Sequence, residues 1–250
     1  MAHRAYIGTS GWNYKHWRNL IYPPKFAQKN WLGFIAEQFD TVEVNTSFYR
    51  IPASETIAAW QEATPAQFKF ALKLWRGITH YKKLINAAEF TRRFLDVADV
   101  LDTKRRGPLL IQLPPNQSKD LAKLDMYLRE LRGLLTTRWN VALEFRHDSW
   151  LDPEVYRLLD KHRAALCIHD MPGKAATNTP NDAPFIYMRR HGTAEGRYAG
   201  SYSEEQLEHD ADDVRKWTKE RKSVYVYYNN DIGGHAFWNA RQLRNMIDVK

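Results

Sequence analysis

Short apolar runs alternate with longer segments of helical periodicity from one end of the chain to the other. Where apolar residues recur every three or four positions, as at Phe90, Phe94 and Val97, the spacing predicts amphipathic helices. The short runs are rich in β-branched and aromatic residues and are bounded by turn-forming residues, so they predict strands. The eight predicted strands lie at residues 6–9, 42–45, 68–74, 109–113, 141–146, 165–168, 185–188 and 224–228.

Residues that favour helix N-termini mark the starts of several predicted helices. Ser54 is the expected N-cap of the helix that follows the second strand. Asp152 directly precedes Pro153, which pairs an N-cap with proline at the first helical position. Ser203 and Gln206 have the spacing of a capping box. Helices are therefore expected soon after the second, fifth and seventh strands.

The alternation of strands and helices predicts an α/β fold, and among such folds it favours a (β/α)8 barrel. The strands are mostly apolar throughout, as expected of a parallel sheet with both faces covered. Eight such units in 250 residues are typical of a TIM-like barrel, which we predict as a single domain over residues 1–250. Residues 172–184 are rich in proline, glycine and asparagine, so the sixth helix is predicted to be degenerate, either short or missing. An open doubly wound sheet competes, but Gly8 and Gly11 lack the spacing of its phosphate-binding loop.

Composition narrows the class of protein further. The chain is 44% hydrophobic and 26% charged, which is ordinary for a globular protein. Its formal charge of +8 permits nucleic-acid or anion binding, but the cations are dispersed among acids. The single cysteine, Cys167, excludes an internal disulfide and is interpreted as a small buried hydrophobe. Without an apolar N-terminal region or a membrane-length apolar stretch, we expect a cytoplasmic protein with no membrane contact.

Glu43 is the residue that first suggests a functional site. It lies on an apolar strand two positions before Asn45, so both side chains share one face of that strand. A buried acid destabilises the fold unless it is paired, and in a barrel the C-terminal strand ends carry the active site. Every predicted strand ends in polar groups, namely Thr9, Ser10, Glu43, Asn45, Lys73, Gln112, Glu144, Arg146, His169, Asp170, Arg189, His191 and Asn229.

These strand ends supply candidates for catalysis and for ligand binding. Glu43 and Glu144 are predicted as an acid and a base that face each other across a pocket, with His191 as a third catalytic residue. The predicted ligand-binding residues comprise three cations for an anion, three aromatic walls and four other polar side chains: Lys73, Arg146, Arg189, Trp12, Tyr49, Trp150, Asn45, Gln112, Asp170 and Asn229. In the competing interpretation the same charges form a satisfied ion-pair network that only shapes the barrel.

Other site chemistries receive weaker support. Five residues that could hold a divalent ion are Glu43, Glu144, His169, Asp170 and His191. No HExxH motif, closely spaced histidine pair or cysteine cluster supports that site, so we assign no metal ligand and predict no cofactor, while a divalent metal stays an alternative. Serine hydrolysis is not expected, because Ser10 lacks the spacing of a nucleophile elbow. Nor is retaining glycoside hydrolysis, because no Asn-Glu pair ends the fourth strand.

Several motifs at these strand ends resemble one known family. The sequences Ile-Gly-Thr-Ser-Gly-Trp at 7–12, Val-Glu-Val-Asn at 42–45, Gln-Leu-Pro-Pro at 112–115 and Ala-Leu-Glu-Phe-Arg-His at 142–147 carry the likeness, together with Arg-His-Gly at 190–192. Together they resemble the YecE-like family, also called domain of unknown function 72 (DUF 72). The resemblance spans nearly the whole chain and implies a one-domain TIM-barrel-like fold. It implies no established reaction.

The predicted function is an enzyme that acts on a small polar or anionic substrate, phosphorylated or sugar-like, by carboxylate acid–base chemistry. A metal-assisted isomerase or phosphoesterase is one alternative. A nucleic-acid-binding or processing protein is another, motivated by the basic balance and by residues 76–83. A non-catalytic ligand-binding or partner-binding barrel is the third. The sequence predicts no oligomeric state.

Overall fold

The computed structural model describes residues 4–135, 139–171, 177–193 and 198–248. Its centre is a closed barrel of eight parallel strands in sequential order, with the last strand paired to the first. This confirms the predicted (β/α)8 architecture. The strands are β1 (Ala5–Ser10), β2 (Thr41–Val44), β3 (Lys69–Lys73), β4 (Arg106–Gln112), β5 (Val141–Glu144), β6 (Ala165–His169), β7 (Phe185–Arg190) and β8 (Ser223–Tyr228).

Helices surround the barrel. They are α1 (Trp31–Gln38), α2 (Thr46–Tyr49), α3 (Ser54–Glu62), α4 (Ala88–Ala98), α5 (Leu121–Leu134), α6 (Pro153–Lys161), α7 (Glu204–Lys219) and α8 (His235–Asp248), with a π-helical turn at Gly77–Tyr81. Among the described residues between β6 and β7 there is no helix, as predicted for the degenerate sixth unit, although 172–176 lie outside the described residues. No helix in the described parts is long and apolar enough to cross a membrane.

Two of the three predicted helix starts are confirmed. Asp152 accepts a hydrogen bond from the backbone N–H of Glu154 at 2.8 Å, with Pro153 at the first helical position. Ser203 and Gln206 form the reciprocal capping box of α7. The prediction for Ser54 is wrong, because α3 begins at Ser54 itself and its side chain accepts no capping bond. The preference of serine for an N-cap is worth only about 1 kcal/mol, so tertiary packing can shift a helix start by one residue.

Side chains alternate between the inside of the barrel and the layer beneath the helices. On β7, Ile186 and Met188 pack outward, whereas Phe185 and Tyr187 point into the barrel. On β3, in the same way, Phe70 points outward and Ala71 inward. The apolar interior cluster is made by Tyr6, Ala71, Leu110, Ala142, Ala165, Cys167, Ala183, Phe185, Tyr187, Tyr225 and Tyr227.

The inward alternation continues past this apolar interior to the carboxyl ends of the strands. Two positions beyond Ala71 and Ala142, the inward side chains are Lys73 and Glu144, and two positions beyond Tyr187 stands Arg189. The strand period of two therefore brings the polar strand ends together in one place. Cys167 is buried below them as a free thiol, as predicted.

Candidate functional site

A buried charge network closes the top of the barrel interior, and Arg189 is its centre. Its Nη2 lies 2.8 Å from Glu43 Oε1 and 3.2 Å from Ser10 Oγ, while its Nη1 lies 2.5 Å from Glu144 Oε2. Burial opposes the charge on this guanidinium, but Glu144 and Glu43 outweigh it and raise the pKa of Arg189 well above its ordinary value. Arg189 is therefore a permanent cation held by two acids.

Glu43 is enclosed by hydrogen-bond donors. Its carboxylate accepts from the hydroxyl of Ser10, from Tyr187 Oη at 2.6 Å and from Arg189. It is fully buried. The carboxylate is thus an acceptor for three groups on β1 and β7, and it holds them in one arrangement.

Glu144 is paired with two arginines. It accepts from both Arg146 and Arg189, and the ring of His191 lies 3.9 Å away at Nε2. Burial alone would raise its pKa, but Arg146 and Arg189 hold the pKa of Glu144 well below its ordinary value. A carboxyl group that stays ionised in this way cannot act as a proton donor near neutral pH.

His191 is neutral, and its protonation can be assigned from its neighbours. Its Nε2 lies 3.2 Å from Arg146 Nη2, and a guanidinium can only donate, so Nε2 accepts and the ring proton lies on Nδ1. Asn229 Nδ2 lies 3.0 Å from Nδ1, and a flip of that carboxamide places its oxygen where it accepts the proton of Nδ1. Burial first, and then Arg189, lowers the pKa of His191 well below its ordinary value. The ring orients Arg146.

Next to this network lies a cavity of about 910 Å³. It opens among the loops at the C-terminal end of the barrel and extends to α3 and α4, where it reaches Trp60 and Val97. A cavity of this size suits a small-molecule ligand. Six residues predicted for ligand binding line it, namely Trp12, Asn45, Tyr49, Lys73, Arg189 and Asn229.

Lys73 is the buried amine of this cavity. Only 8% of the residue is exposed, and its Nζ donates to Gln112 Oε1 at 2.6 Å. The Nζ atom also lies 4.2 Å from the centre of the Phe48 ring. Burial, reinforced by the charge of Arg189, lowers the pKa of Lys73 to about 7. An appreciable fraction of this amine is therefore neutral at physiological pH.

Comparison with known proteins agrees with the fold and the strand-end motifs. A family model described as "Protein of unknown function DUF72" matches residues 6–250. The chain belongs to the DUF72 family. It is 27% identical over 276 residues to the UPF0759 protein YunF of Bacillus subtilis, covering 98% of this chain and 95% of YunF. It is 29% identical over 143 residues to YecE of Escherichia coli K12, covering 57% of this chain and 48% of YecE.

Crystal structures of other DUF72 proteins have the same fold. A DUF72 family protein of Thermotoga maritima superposes with a TM-score of 0.86 and 29% identity, over 98% of this chain and all of the other. One of Enterococcus faecalis superposes with a TM-score of 0.81 and 22% identity, over 98% of this chain and 96% of the other. These likenesses show the family and the barrel. None of the names states a reaction.

Several residues predicted for the site of this DUF72 chain do not line the cavity. Glu43, Glu144, Arg146 and His191 belong to the buried network beside it. Gln112 lies behind Lys73 and holds its amine. The cavity therefore meets the network through Arg189, Asn229 and Asn45, and neither acid lines it.

Trp150 and Asp170 take structural positions instead. Trp150 is fully buried, stacks on Phe145 with ring centres 4.4 Å apart, and donates its indole N–H to the Gln117 carbonyl at 2.7 Å. Asp170 accepts from the backbone N–H of His191 at 2.8 Å and from Tyr202 Oη at 2.6 Å. Each braces a loop at the barrel mouth, and neither contacts the cavity.

The five residues considered as metal ligands are not arranged around a common point. Glu43 and Glu144 are occupied by arginines, and His169 Nε2 lies 2.9 Å from the Phe145 carbonyl. Within the described residues, no group of three or more histidine, cysteine, aspartate or glutamate side chains could hold an ion.

Some residues of the site were not predicted. Tyr187, two positions before Arg189 on the same strand face, could have been found from the period of two. Asp231 also lines the cavity, and its position two residues after Asn229, at the end of the eighth strand, could have identified it. Other lining residues carry no such signal, because helix packing and loop folding bring them to the mouth: Tyr14, Arg50, Arg93 and Tyr198.

Two buried polar atoms of the lining residues have no hydrogen-bond partner among the described residues. They are Asn45 Oδ1 and Arg189 Nε. A buried polar group without a partner destabilises the folded protein, so such atoms are unusual. Among the described residues, this leaves one unpaired acceptor and one unpaired donor beside the cavity.

Proposed function

We propose that this DUF72 chain is an enzyme that binds and converts a small anionic metabolite in the cavity at the C-terminal face of the barrel. The charge of the cavity lining supports this proposal most directly. Four cationic side chains, Arg50, Lys73, Arg93 and Arg189, line the cavity, whereas Asp231 is the one acid among its described lining residues. Lys73 and Arg189 are buried, whereas Arg50 and Arg93 are exposed at the cavity mouth. A cation that is withdrawn from water binds phosphate or carboxylate more strongly than an exposed one.

Arg189 is a preorganised anchor in this proposal. Glu43 and Glu144 bind both of its Nη atoms, so its side chain is already fixed and loses no conformational entropy when a ligand binds. Its Nε donor is the group without a partner. The two predicted catalytic acids thereby acquire a different role, since they hold a cation in place for the ligand.

Aromatic side chains favour a ligand with an apolar face beside its charge. Trp12, Tyr14, Tyr49 and Tyr198 line the cavity, and Tyr49 is 61% exposed. Flat rings of this kind suit the faces of a sugar or a planar metabolite. A phosphorylated sugar, or another small acid with a carbon skeleton, matches both the rings and the cations.

Lys73 and Asp231 are the groups in the proposal that move protons. Both line the cavity, unlike Glu43 and Glu144. The pKa of Lys73 is lowered to about 7, and burial raises the pKa of Asp231 above its ordinary value. A group whose pKa is near neutrality, as that of Lys73 is, is an effective acid or base.

The test is a thermal-shift panel on the natural chain and two variants. Inorganic phosphate and glucose 6-phosphate are compared with glucose, using Lys73→Met and, as a matched control, Lys219→Met in the exposed last turn of α7. We expect the phosphates to raise Tm in the natural chain and in Lys219→Met. In Lys73→Met we expect affinity to fall by about tenfold or more, because one charge-assisted hydrogen bond is lost. If neither phosphate raises Tm in the natural chain, the anion site is wrong.

A second candidate function, nucleic-acid binding, is favoured by one feature of the rim. Tyr49 and Tyr81 are strongly exposed, and the Arg76 guanidinium lies 5.4 Å from the centre of each ring. Exposed Lys82 and Lys83 follow in sequence. Aromatic platforms beside cations bind single-stranded nucleic acids by stacking and charge.

Salt dependence and one rim variant test this second function. Binding of a single-stranded oligonucleotide should weaken steeply with salt and should fall in Tyr81→Ser, because a stacking platform is lost. Lys73→Met should bind the oligonucleotide as the natural chain does, since its amine lies inside the cavity. Absence of binding at low salt would eliminate this candidate.

A further inference from the structure

We propose that Lys73 is a covalent site, whose amine forms an imine with the carbonyl carbon of an anionic oxo acid or open-chain sugar phosphate. This inference rests on the proposed function, because it names the substrate class of the same cavity. It goes further in assigning a bond to one atom, Lys73 Nζ.

The position of Lys73 suits a nucleophile. It ends β3 on the inward face and is a lining residue of the cavity, with 8% of the residue exposed. The two buried carboxylates nearby, Glu43 and Glu144, form their ion pairs with Arg146 and Arg189. Among the described residues, no carboxylate lies within ion-pair distance of the Lys73 amine.

The contacts of the amine also favour attack on a ligand. Gln112 Oε1 accepts one of its N–H bonds at 2.6 Å, which restrains the nitrogen and leaves its lone pair free in the neutral form. The Phe48 ring, 4.2 Å from Nζ, covers one side of the group with an apolar surface. The pKa of about 7 agrees with this geometry, since only the neutral amine is nucleophilic.

The reaction is balanced without an oxidant or a reductant. The lone pair of Lys73 Nζ forms a bond to the carbonyl carbon, the carbonyl oxygen takes up a proton, and the nitrogen loses one, which yields a carbinolamine. The hydroxyl then leaves as water after it receives a proton, and the nitrogen lone pair forms the nitrogen–carbon double bond. Loss of the remaining N–H proton gives the neutral imine. Asp231 is the acid among the described lining residues, and burial raises the pKa of its carboxyl group, which favours proton transfer from it in this step. Addition of water reverses the sequence and releases the lysine.

Arg189 and the outer arginines would orient the substrate for this attack. An anionic group held at Arg189 or Arg93 leaves the rest of a short carbon chain inside the same cavity as Lys73. Binding energy from the anion then holds the carbonyl near the amine, which accelerates the bond-forming step. A neutral carbonyl compound of the same length lacks that anchor and should react more slowly.

Reductive trapping tests the proposal. The natural chain is incubated with dihydroxyacetone phosphate, pyruvate or neutral dihydroxyacetone in the presence of cyanoborohydride, which reduces an imine to a stable secondary amine. Intact-mass analysis and peptide mapping then locate the label, whose mass is that of the probe less one oxygen atom. We expect Lys73 to be labelled by the anionic probes at least about tenfold faster than the other lysines, because far more of its amine is neutral at pH 7. Inorganic phosphate should slow that labelling.

Two variants complete the experiment. Lys73→Arg keeps the charge without a nucleophilic amine, so it should bind phosphate in the thermal-shift assay and take no label at position 73. Lys219→Met should be labelled at Lys73 like the natural chain. If the natural chain binds phosphate but its lysines are labelled evenly, the imine is wrong and the anion site stands. If phosphate does not bind either, the proposed function fails as well.

Discussion

At the scale of single residues, the chain places two acids in the interior of a barrel, where they are expensive to bury. Glu43 and Glu144 are fully buried, and each is paired with the Arg189 guanidinium. Replacing such a buried ion-pair network by well-packed apolar residues is often neutral or stabilising, so stability alone does not explain this arrangement. We infer that the network serves to hold Arg189 at the wall of the cavity.

Neutralising one of these acids should destabilise the fold strongly. Glu144→Gln leaves Arg146 and Arg189 with an uncompensated buried charge, so we expect the free energy of unfolding to fall by about 3–5 kcal/mol. Urea denaturation measures it. The control is Glu208→Gln on the exposed face of α7, which should change stability by about 0.5 kcal/mol or less. A change below about 1 kcal/mol in Glu144→Gln would show that the ion pairs of Glu144 contribute less to stability than their short distances indicate.

The lowered pKa of Lys73 makes a second prediction, which concerns pH. The pKa is about 7 in the folded protein and about 10.4 in an unfolded chain, so between these values the unfolded state binds more protons. The free energy of unfolding therefore rises with pH in that window, by up to about 1.4 kcal/mol per pH unit from this group. Below pH 7 Lys73 is protonated in both states, and its charge then destabilises the folded protein to the full extent.

Comparison with Lys73→Met isolates that contribution. The variant should be more stable than the natural chain at pH 7, and its advantage should shrink as the pH rises to 8 and 9. Urea denaturation of both proteins at the three pH values measures the difference. His80 does not interfere, because burial lowers its pKa to about 4, outside the window. An advantage that stays constant from pH 7 to 9 would contradict the lowered pKa.

At the scale of helices and strands, local sequence signals differ in how well they predict the residue at which a helix begins. The capping box of α7 satisfies two backbone groups by reciprocal bonds between Ser203 and Gln206, and it was readable from spacing alone. Ser54 has a favourable residue type for the same role, yet α3 begins at Ser54 and takes Ala53 as its N-cap. The motif with two hydrogen bonds fixed the residue at which α7 begins, whereas the preference of one serine for the N-cap did not fix the start of α3.

These two serines form a matched pair for mutation. Ser203→Ala should lower stability by about 1 kcal/mol, because a backbone N–H at the start of α7 loses its acceptor. Ser54→Ala should have almost no effect, since its side chain caps nothing. Thermal denaturation of both variants checks the difference. Equal losses would mean that the capping bonds of α7 do not contribute.

At the scale of the whole molecule, closure of the barrel depends on close contact between neighbouring strands. Gly8 of β1 lies beside Thr41 of β2, and a Cβ on Gly8 would lie 2.1 Å from the Thr41 carbonyl oxygen. Backbone atoms at that distance cannot move aside without separating the strands. This glycine is needed for its small size.

Gly8→Ala should therefore destabilise the whole barrel, by about 3 kcal/mol or more. Gly133→Ala is the control, because a Cβ there meets nothing within 4 Å on the exposed side of α5. It should raise stability by about 0.5 kcal/mol through helix propensity. Chemical denaturation of both proteins measures the two changes. If Gly8→Ala folds with natural stability, the strand contact is not as close as described.

The fold and part of the site followed from periodicity. The polar ends of the eight predicted strands included Lys73, Glu144 and Arg189, and the structure places these three side chains on the inward strand faces at one end of the barrel. Trp150 shows the limit of that reasoning. It follows the end of the fifth strand by a few positions, as other predicted site residues follow theirs. Its ring nevertheless stacks on Phe145 in the core. Proximity along the chain does not say which side of a loop an aromatic ring takes.

The sequence by itself determined the barrel, because hydrophobic period, strand length and turn residues are local properties that repeat eight times. It also determined which charged groups meet at the C-terminal face, since parallel strands align their carboxyl ends. Only the tertiary structure decided which of them face a ligand. Glu43 and Glu144 are enclosed by donors from other strands, while Lys73 lines the cavity with no carboxylate in ion-pair distance in the parts of the chain that the structure describes. Burial and pairing depend on contacts between residues distant in sequence, and these set the pKa values on which any chemistry here depends.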